Sequence, residues 1–88
     1  MPADETLDSI LGGAISLFQP RRGYRFSVDS MLLGRFVAAR PHQRVLELGA
    51  GCGVIALMLA HLGRPREVLA LELQPRLADL IASNARLN

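Results

Sequence analysis

The run VLELGAGCGVIALMLA, Val45 to Ala60, decides how the rest of the chain is read. Val45 and Leu46 lead to an acid, Glu47, and glycines then stand at every second position, Gly49, Gly51 and Gly53. An apolar stretch of helical length closes the run. A short apolar segment bounded by glycine suits a buried parallel strand, here Arg44–Leu48. Gly53 to Leu62 then reads as a helix, apolar on nearly all sides and stopped by Gly63. EVLALEL (67–73) gives a second strand. Pro75 suits the first position of a last helix, with Leu77, Leu80, Ile81 and Ala85 as its apolar stripe. The order β-α-β-α with short strands around a buried helix makes a right-handed parallel crossover the default. The expectation is an α/β fold, the opening of a doubly wound, Rossmann-like sheet.

In such sheets ligands bind beyond the carboxyl ends of the strands, which places the loop 49–53 in the binding position. Glycines there allow a tight turn and let a ligand lie against backbone N–H groups. The following helix adds its positive N-terminal end. Glu72 closes the second strand nineteen residues after Gly53, about the spacing at which a carboxylate grips the hydroxyls of an adenosine ribose. GCGVIA also satisfies the dinucleotide fingerprint through Gly51, Gly53 and Ala56. Glu47, however, stands two residues before Gly49. A charge so placed repels a pyrophosphate and favours the methionine ammonium of S-adenosylmethionine. Each site residue has a plainer role to set beside this one. Glu47 could serve as a helix-terminus charge and Glu72 as a solvated strand end. Cys52 reads as a small loop filler with no histidine base near it in sequence.

The glycines and acids together, as E-x-G-x-G-x-G with Glu72 downstream, resemble the first two motifs of class I S-adenosylmethionine-dependent methyltransferases. Upstream, LGGAISLFQPRRGYRFSVDSMLLGRFV is similar to the bacterial tRNA(Val) adenine N6-methyltransferase family, whose strand pair and D-s/g-x-L-L helix start match Asp29, Ser30, Leu32 and Leu33. The similarity runs from about Leu7 to Asn88. It implies that Glu47, Gly49, Gly51 and Gly53 surround the methionine and ribose of the cofactor, with Glu72 on the ribose hydroxyls and Leu73 on the adenine. It also implies that the Tyr24–Asp29 segment lies over the pocket, with Asp29 near the methionine end; the same Asp29 could simply cap a helix. The family holds its target adenine with an Asn-Pro-Pro-Tyr motif after the fourth strand. No Pro-Pro pair occurs here, and the final SNARLN reads as helix. The expectation is therefore the N-terminal, cofactor-binding portion of a longer enzyme, inactive alone, with no catalytic residue of its own.

Ahead of this half-site (44–88), residues 1–43 read as an N-terminal arm, a hairpin and a helix. Residues 1–10 suggest a loose arm with one helical turn capped by Asp4 or Thr6, and Gly12-Gly13 a turn. AISLFQ (14–19) and YRFSV (24–28) alternate as two strands around a Pro20–Gly23 loop. Asp29 or Ser27 then caps a helix to about Arg40, with Leu32, Leu33, Phe36 and Val37 on one face. Arg21, Arg22 and Arg25 interleave with Phe18, Tyr24 and Phe26, a pattern that suits RNA contact. It equally suits a plain hairpin with aromatics inward and arginines in water.

Composition bounds the rest. The chain has 88 residues, 50% hydrophobic and 20% charged, with net charge +2 and only arginine as its base. That is one small packed domain, in which folding buries somewhat over ~60% of the unfolded surface. The single cysteine excludes an internal disulfide, and no metal cluster is suggested. MPADETLDSI is too acidic for a secretory signal, and no apolar run approaches the ~20 residues of a membrane span. A cytoplasmic setting follows as an expectation. Open strand edges predict self-association. Two rival readings stay open: a non-catalytic Rossmann-like interaction module, and a fragment of an NAD-binding oxidoreductase.

Overall fold

The computed structural model describes residues 4–88. An antiparallel pair comes first, β1 (Glu5–Ile10) and β2 (Ile15–Pro20), in register from Glu5 opposite Pro20 to Ile10 opposite Ile15. A single 3-10 turn at Leu11–Gly13 joins them. The hairpin thus lies one strand earlier than its sequence suggests. The expected loose arm is a strand from Glu5 onward, and YRFSV is not a strand at all. The expected cap at Asp4 or Thr6 has no helix to serve; residues 1–3 lie outside the described residues.

The reason is internal polar pairing. Asp8 Oδ2 accepts from Thr6 Oγ1 at 2.6 Å and from Gln19 Nε2 at 2.8 Å. Arg25 donates to Thr6 Oγ1 at 2.9 Å and to the Pro20 carbonyl at 2.7 Å, and pairs with Asp8 at 3.3 Å. A strand whose polar residues satisfy one another does not advertise itself by hydrophobic alternation. The bonds to Thr6, Asp8 and Pro20 also mean that Arg25 holds the hairpin together.

Helix α1 (Val28–Phe36) follows, with Ser27 at its N-cap. The Ser27 N–H donates to Ser30 Oγ at 3.3 Å, the returning half of a capping box. The helix stops at Phe36 rather than near Arg40, because Val37 turns extended (φ −75°, ψ 113°). Its expected core face is exposed: Leu32 is 63% and Phe36 84% accessible. The contact with the rest of the molecule runs instead through Met31 and Gly34, three residues apart on the neighbouring face. Gly34 allows the close approach there: a Cβ would stand 2.7 Å from Met58 Sδ, so the Met58 side chain would have to shift.

From Arg44 the reading holds closely. Strand β3 (Arg44–Leu48), helix α2 (Val54–Leu62), strand β4 (Glu67–Leu71) and helix α3 (Pro75–Leu87) form the β-α-β-α unit. The two strands pair in parallel, Arg44 opposite Glu67 through Leu48 opposite Leu71. Only one face of this pair is covered. Val45, Glu47, Val68 and Ala70 are half-buried under the helices, whereas Leu46, Leu48, Leu69 and Leu71 are exposed on the other face. The strands are therefore not the fully buried ones their apolar runs suggest.

The core lies between hairpin, glycine loop and helices: Ile10, Ile15, Leu17, Cys52, Val54, Met58, Leu77 and Leu80. In α3 the apolar stripe carries Leu77 and Leu80 as expected. Ile81 is half-buried, Ala85 is exposed, and Asn84 is fully buried in their place. No helix among the described residues is long and apolar enough to cross a membrane.

Candidate functional site

The loop after β3 takes its shape from backbone that only glycine adopts easily: φ is +70° at Gly49, +61° at Gly51 and +95° at Gly53. Gly53 is the N-cap of α2, in the left-handed region and without a side chain to cap with. Gly51 has a second reason to lack a side chain. The ring of Tyr24 lies directly on it, and a Cβ would stand 2.5 Å from Tyr24 Cε2. An aromatic ring of the protein itself thus approaches Gly51 closely, while the space beside the Gly49 Cα is open.

Glu72, just beyond β4, reaches across to this loop. Its Oε1 accepts from the Gly51 N–H at 2.8 Å and its Oε2 from the Gln74 N–H at 2.9 Å. These amides, Gln74 first and then Gly51, hold its carboxyl below the usual range. Each carboxylate oxygen has acceptor capacity beyond the one bond made here. The Gly51 N–H is consequently spent on Glu72 and is not free for a ligand. Gly49, Leu71, Glu72 and Leu73 line an open concavity of about 410 Å³. Leu73 projects into solvent there, 95% exposed.

Glu47, at the end of β3, sits in the opposite surroundings. It is half-buried, and its carboxyl accepts a bond from the Ala56 N–H in the first turn of α2. The helix-terminus role therefore exists, standing in for the side-chain cap that Gly53 lacks. Yet Oε1 is shut away from solvent with no hydrogen-bond partner among the described residues. Burial, opposed only by the Ala56 bond, raises the pKa of Glu47 above its usual 4.5. Tyr24, packed on Gly51, is close enough to sense both acids. Burial first, then the nearby Cys52, Glu47 and Glu72 charges, push its phenol up against an opposing bond to Ser30.

Asp29 is exposed in the first turn of α1, where its charge suits the helix end but Ser27 and Ser30 do the capping. Cys52 is fully buried in the core and burial raises its thiol pKa, which fits a loop filler and not a nucleophile. The structure thus brings Glu47, Gly49, Gly51, Gly53, Glu72 and Leu73 around one loop. Asn84 is the residue that sequence reasoning missed. Its signal was a polar residue at a helix position seven after Leu77, in line with the buried stripe.

The chain resembles known proteins in sequence and in fold. The TRM5/TYW2 methyltransferase domain family matches residues 34–88, well over half of the chain. The chain belongs to that family. At 36% identity over 66 residues it resembles the tRNA1(Val) (adenine(37)-N6)-methyltransferase of Yersinia enterocolitica, covering 74% of this chain and 26% of that protein. The Yersinia pestis enzyme of the same name is 36% identical over 69 residues, covering 77% and 28%. The chain thus spans about a quarter of the length of these curated relatives. The crystal structure of M. jannaschii TYW2 in complex with AdoMet superposes with a TM-score of 0.83 at 20% identity, over 99% of this chain and 40% of that one. The likeness establishes the fold: this chain has the β-α-β-α start of a methyltransferase sheet.

Proposed function

We propose that this chain is the cofactor-binding part of an S-adenosylmethionine-dependent methyltransferase. The observation that carries the reading is the orphaned Oε1 of Glu47. A desolvated carboxylate oxygen without a partner is costly, and an ammonium group would satisfy it where a pyrophosphate would add a second negative charge. In this reading Glu47 receives the methionine ammonium, directly or through water. Glu72, already oriented by two amides, offers its outer lone pairs to the ribose hydroxyls. Leu73 and Leu71 supply an apolar wall for the adenine, and Gly49 leaves room for the ligand to lie against the loop. Tyr24, packed on Gly51, closes the loop from the other side. Asp29 in this reading stands at the methionine end as part of the long-range field, without a contact of its own.

The cofactor, when bound, supplies an electrophilic methyl group on a sulfonium. This chain's residues bind and orient it, and the charges of Glu47 and Glu72 favour the cationic cofactor over neutral analogues. The methyl acceptor in this reading is an adenine amino group of tRNA, as the names of the Yersinia relatives suggest, and the setting is the cytoplasm. Arg21 and Arg22, exposed on the segment that leads to Tyr24, stand where an RNA phosphate could approach. The unpaired outer edges of β3 and β4, beside the exposed leucines, would favour self-association. Sedimentation of a concentration series would show dimers if this is right and a constant monomer if it is wrong.

The test of the cofactor reading is competition. Labelled S-adenosylhomocysteine bound to the chain should resist displacement by a hundredfold excess of NAD. Displacement by NAD at comparable concentration would make the fingerprint GCGVIA the correct guide and the methyltransferase reading wrong.

A further inference from the structure

Two asparagines four residues apart, Asn84 in the last turns of α3 and Asn88 at its C-cap, meet β2. Asn88 Oδ1 accepts from the Ser16 N–H at 3.0 Å, and its Nδ2 donates to the Ser16 carbonyl at 2.6 Å. Asn84 repeats the arrangement one strand step further on. Its Oδ1 accepts from the Phe18 N–H at 2.6 Å and its Nδ2 donates to the Phe18 carbonyl at 2.9 Å. Ser16 and Phe18 are alternate residues of β2, so their backbone groups point to the same edge, away from β1. The two carboxamides therefore do for that edge what a neighbouring strand would do.

The asparagines differ in one respect. Asn84 is fully buried and also donates from Nδ2 to the Cys52 carbonyl at 2.8 Å. Asn88 is exposed, and its remaining bond goes to the Asn84 carbonyl at 2.7 Å within the helix. Cys52 lies between Gly51 and Gly53, in a loop of glycines with no side chains to fix it. The loop's other ties are the Gly51 N–H to Glu72 Oε1 at 2.8 Å and two backbone bonds, Ala50 N–H to the Leu71 carbonyl at 2.9 Å and Gly53 N–H to the Ala50 carbonyl at 3.0 Å; none of these holds the Cys52 carbonyl. Both amide protons of Asn84 are thus engaged, one on the hairpin and one on the glycine loop.

We infer that Asn84 is a positioning residue for the cofactor site, setting the Cys52–Gly53 peptide plane by tying the loop to α3 and β2. The sequence context makes this specific. Glycines give the loop its positive φ but no rigidity, and an unanchored loop would have to be ordered when the ligand binds. A fully buried carboxamide with all its donors satisfied is a rigid anchor. This inference rests on the cofactor reading for its functional consequence but not for its structural one.

The test compares Asn84→Asp with Asn88→Ala in the 88-residue chain. Asp at position 84 keeps an acceptor for the Phe18 N–H and loses both donors at neutral pH; Asn88→Ala loses a hairpin clamp and nothing at the loop. Amide exchange at Gly51 and Gly53 should accelerate in Asn84→Asp and stay near wild type in Asn88→Ala. The dissociation constant for S-adenosylhomocysteine should rise about tenfold in the first, as for one lost hydrogen bond, and change less than twofold in the second. Equal exchange and equal affinity in the two variants would overturn the proposal. If the variants do not fold, the wild-type chain decides: protected Asn84 side-chain amide protons support the tie, and freely exchanging ones refute it. If the wild type binds no S-adenosylhomocysteine while loop exchange still separates the variants, the cofactor reading fails and the positioning role stands.

Discussion

Two carboxylates flank one loop, and the molecule treats them in opposite ways. Glu72 has two backbone amides aimed at its oxygens, and its pKa falls. Glu47, one strand over, is taken out of water with one helix-terminus bond and one bare oxygen, and its pKa rises. An acid that is satisfied before a ligand arrives is suited to present lone pairs to hydroxyls. An acid that is unsatisfied is suited to a cation, which repays its desolvation only on binding. The contrast teaches that strand-end acids cannot be ranked by position alone, because their surroundings decide the chemistry.

Removing the satisfied acid should have the largest effect. Glu72→Ala eliminates the proposed grip on the ribose and also frees the Gly51 N–H. The charged oxygens of Glu72 are the proposed acceptors, so affinity for S-adenosylhomocysteine should fall about a hundredfold by calorimetry. A loss under threefold would put the ribose elsewhere.

Gly51→Ala tests the point where the two regions meet. The positive φ and the overlying ring should together cost about 1–3 kcal/mol of stability. Tyr24 is the single tyrosine and there is no tryptophan, so displacement of its ring should appear directly in the intrinsic fluorescence. Unchanged emission and unchanged denaturation midpoint would mean the ring does not rest on the loop.

The smallest effect is the one most specific in sign. A carboxyl whose folded pKa is raised holds its proton more tightly when folded, so its contribution to stability is lost as pH rises from 4.5 through that raised value. Glu72, with a lowered folded pKa, contributes stability above 4.5 that is lost as pH falls through the lowered value. Glu47→Gln keeps an acceptor for the Ala56 N–H and removes the buried charge. The variant should therefore be more stable than wild type at pH 7, with the advantage shrinking toward pH 4. An advantage that grows on acidification would reverse the assignment of the buried acid.

How much of this was legible in the sequence follows from where each pattern gets its partner. The unit from Arg44 onward announced itself because glycine, proline and short apolar runs act locally: Pro75 starts α3 and Gly63 ends α2 as read. The hairpin was misplaced because β1 satisfies Thr6, Asp8 and Gln19 with one another and with Arg25, a pattern that looks like a polar arm. The exposed leucines of α1 and of the outer sheet face were read as core because hydrophobic periodicity names an apolar face and not what covers it. Among the candidate site residues the loop and both acids stand out by their spacing, and the structure places them around one loop. Their different environments do not stand out, since Glu72 meets Gly51 across 21 positions and Asn84 meets Cys52 and Phe18 across 32 and 66.

The central claim is that Glu47 reads the amino-acid end of the cofactor and Glu72 its ribose. The most direct measurement titrates wild type, Glu47→Gln and Glu72→Ala with S-adenosylhomocysteine and with 5′-methylthioadenosine, which has the ribose and adenine but no ammonium. Glu72→Ala should weaken both ligands, while Glu47→Gln should weaken S-adenosylhomocysteine about tenfold and leave methylthioadenosine unchanged. Equal losses for both ligands in Glu47→Gln, or none for either in Glu72→Ala, would contradict it.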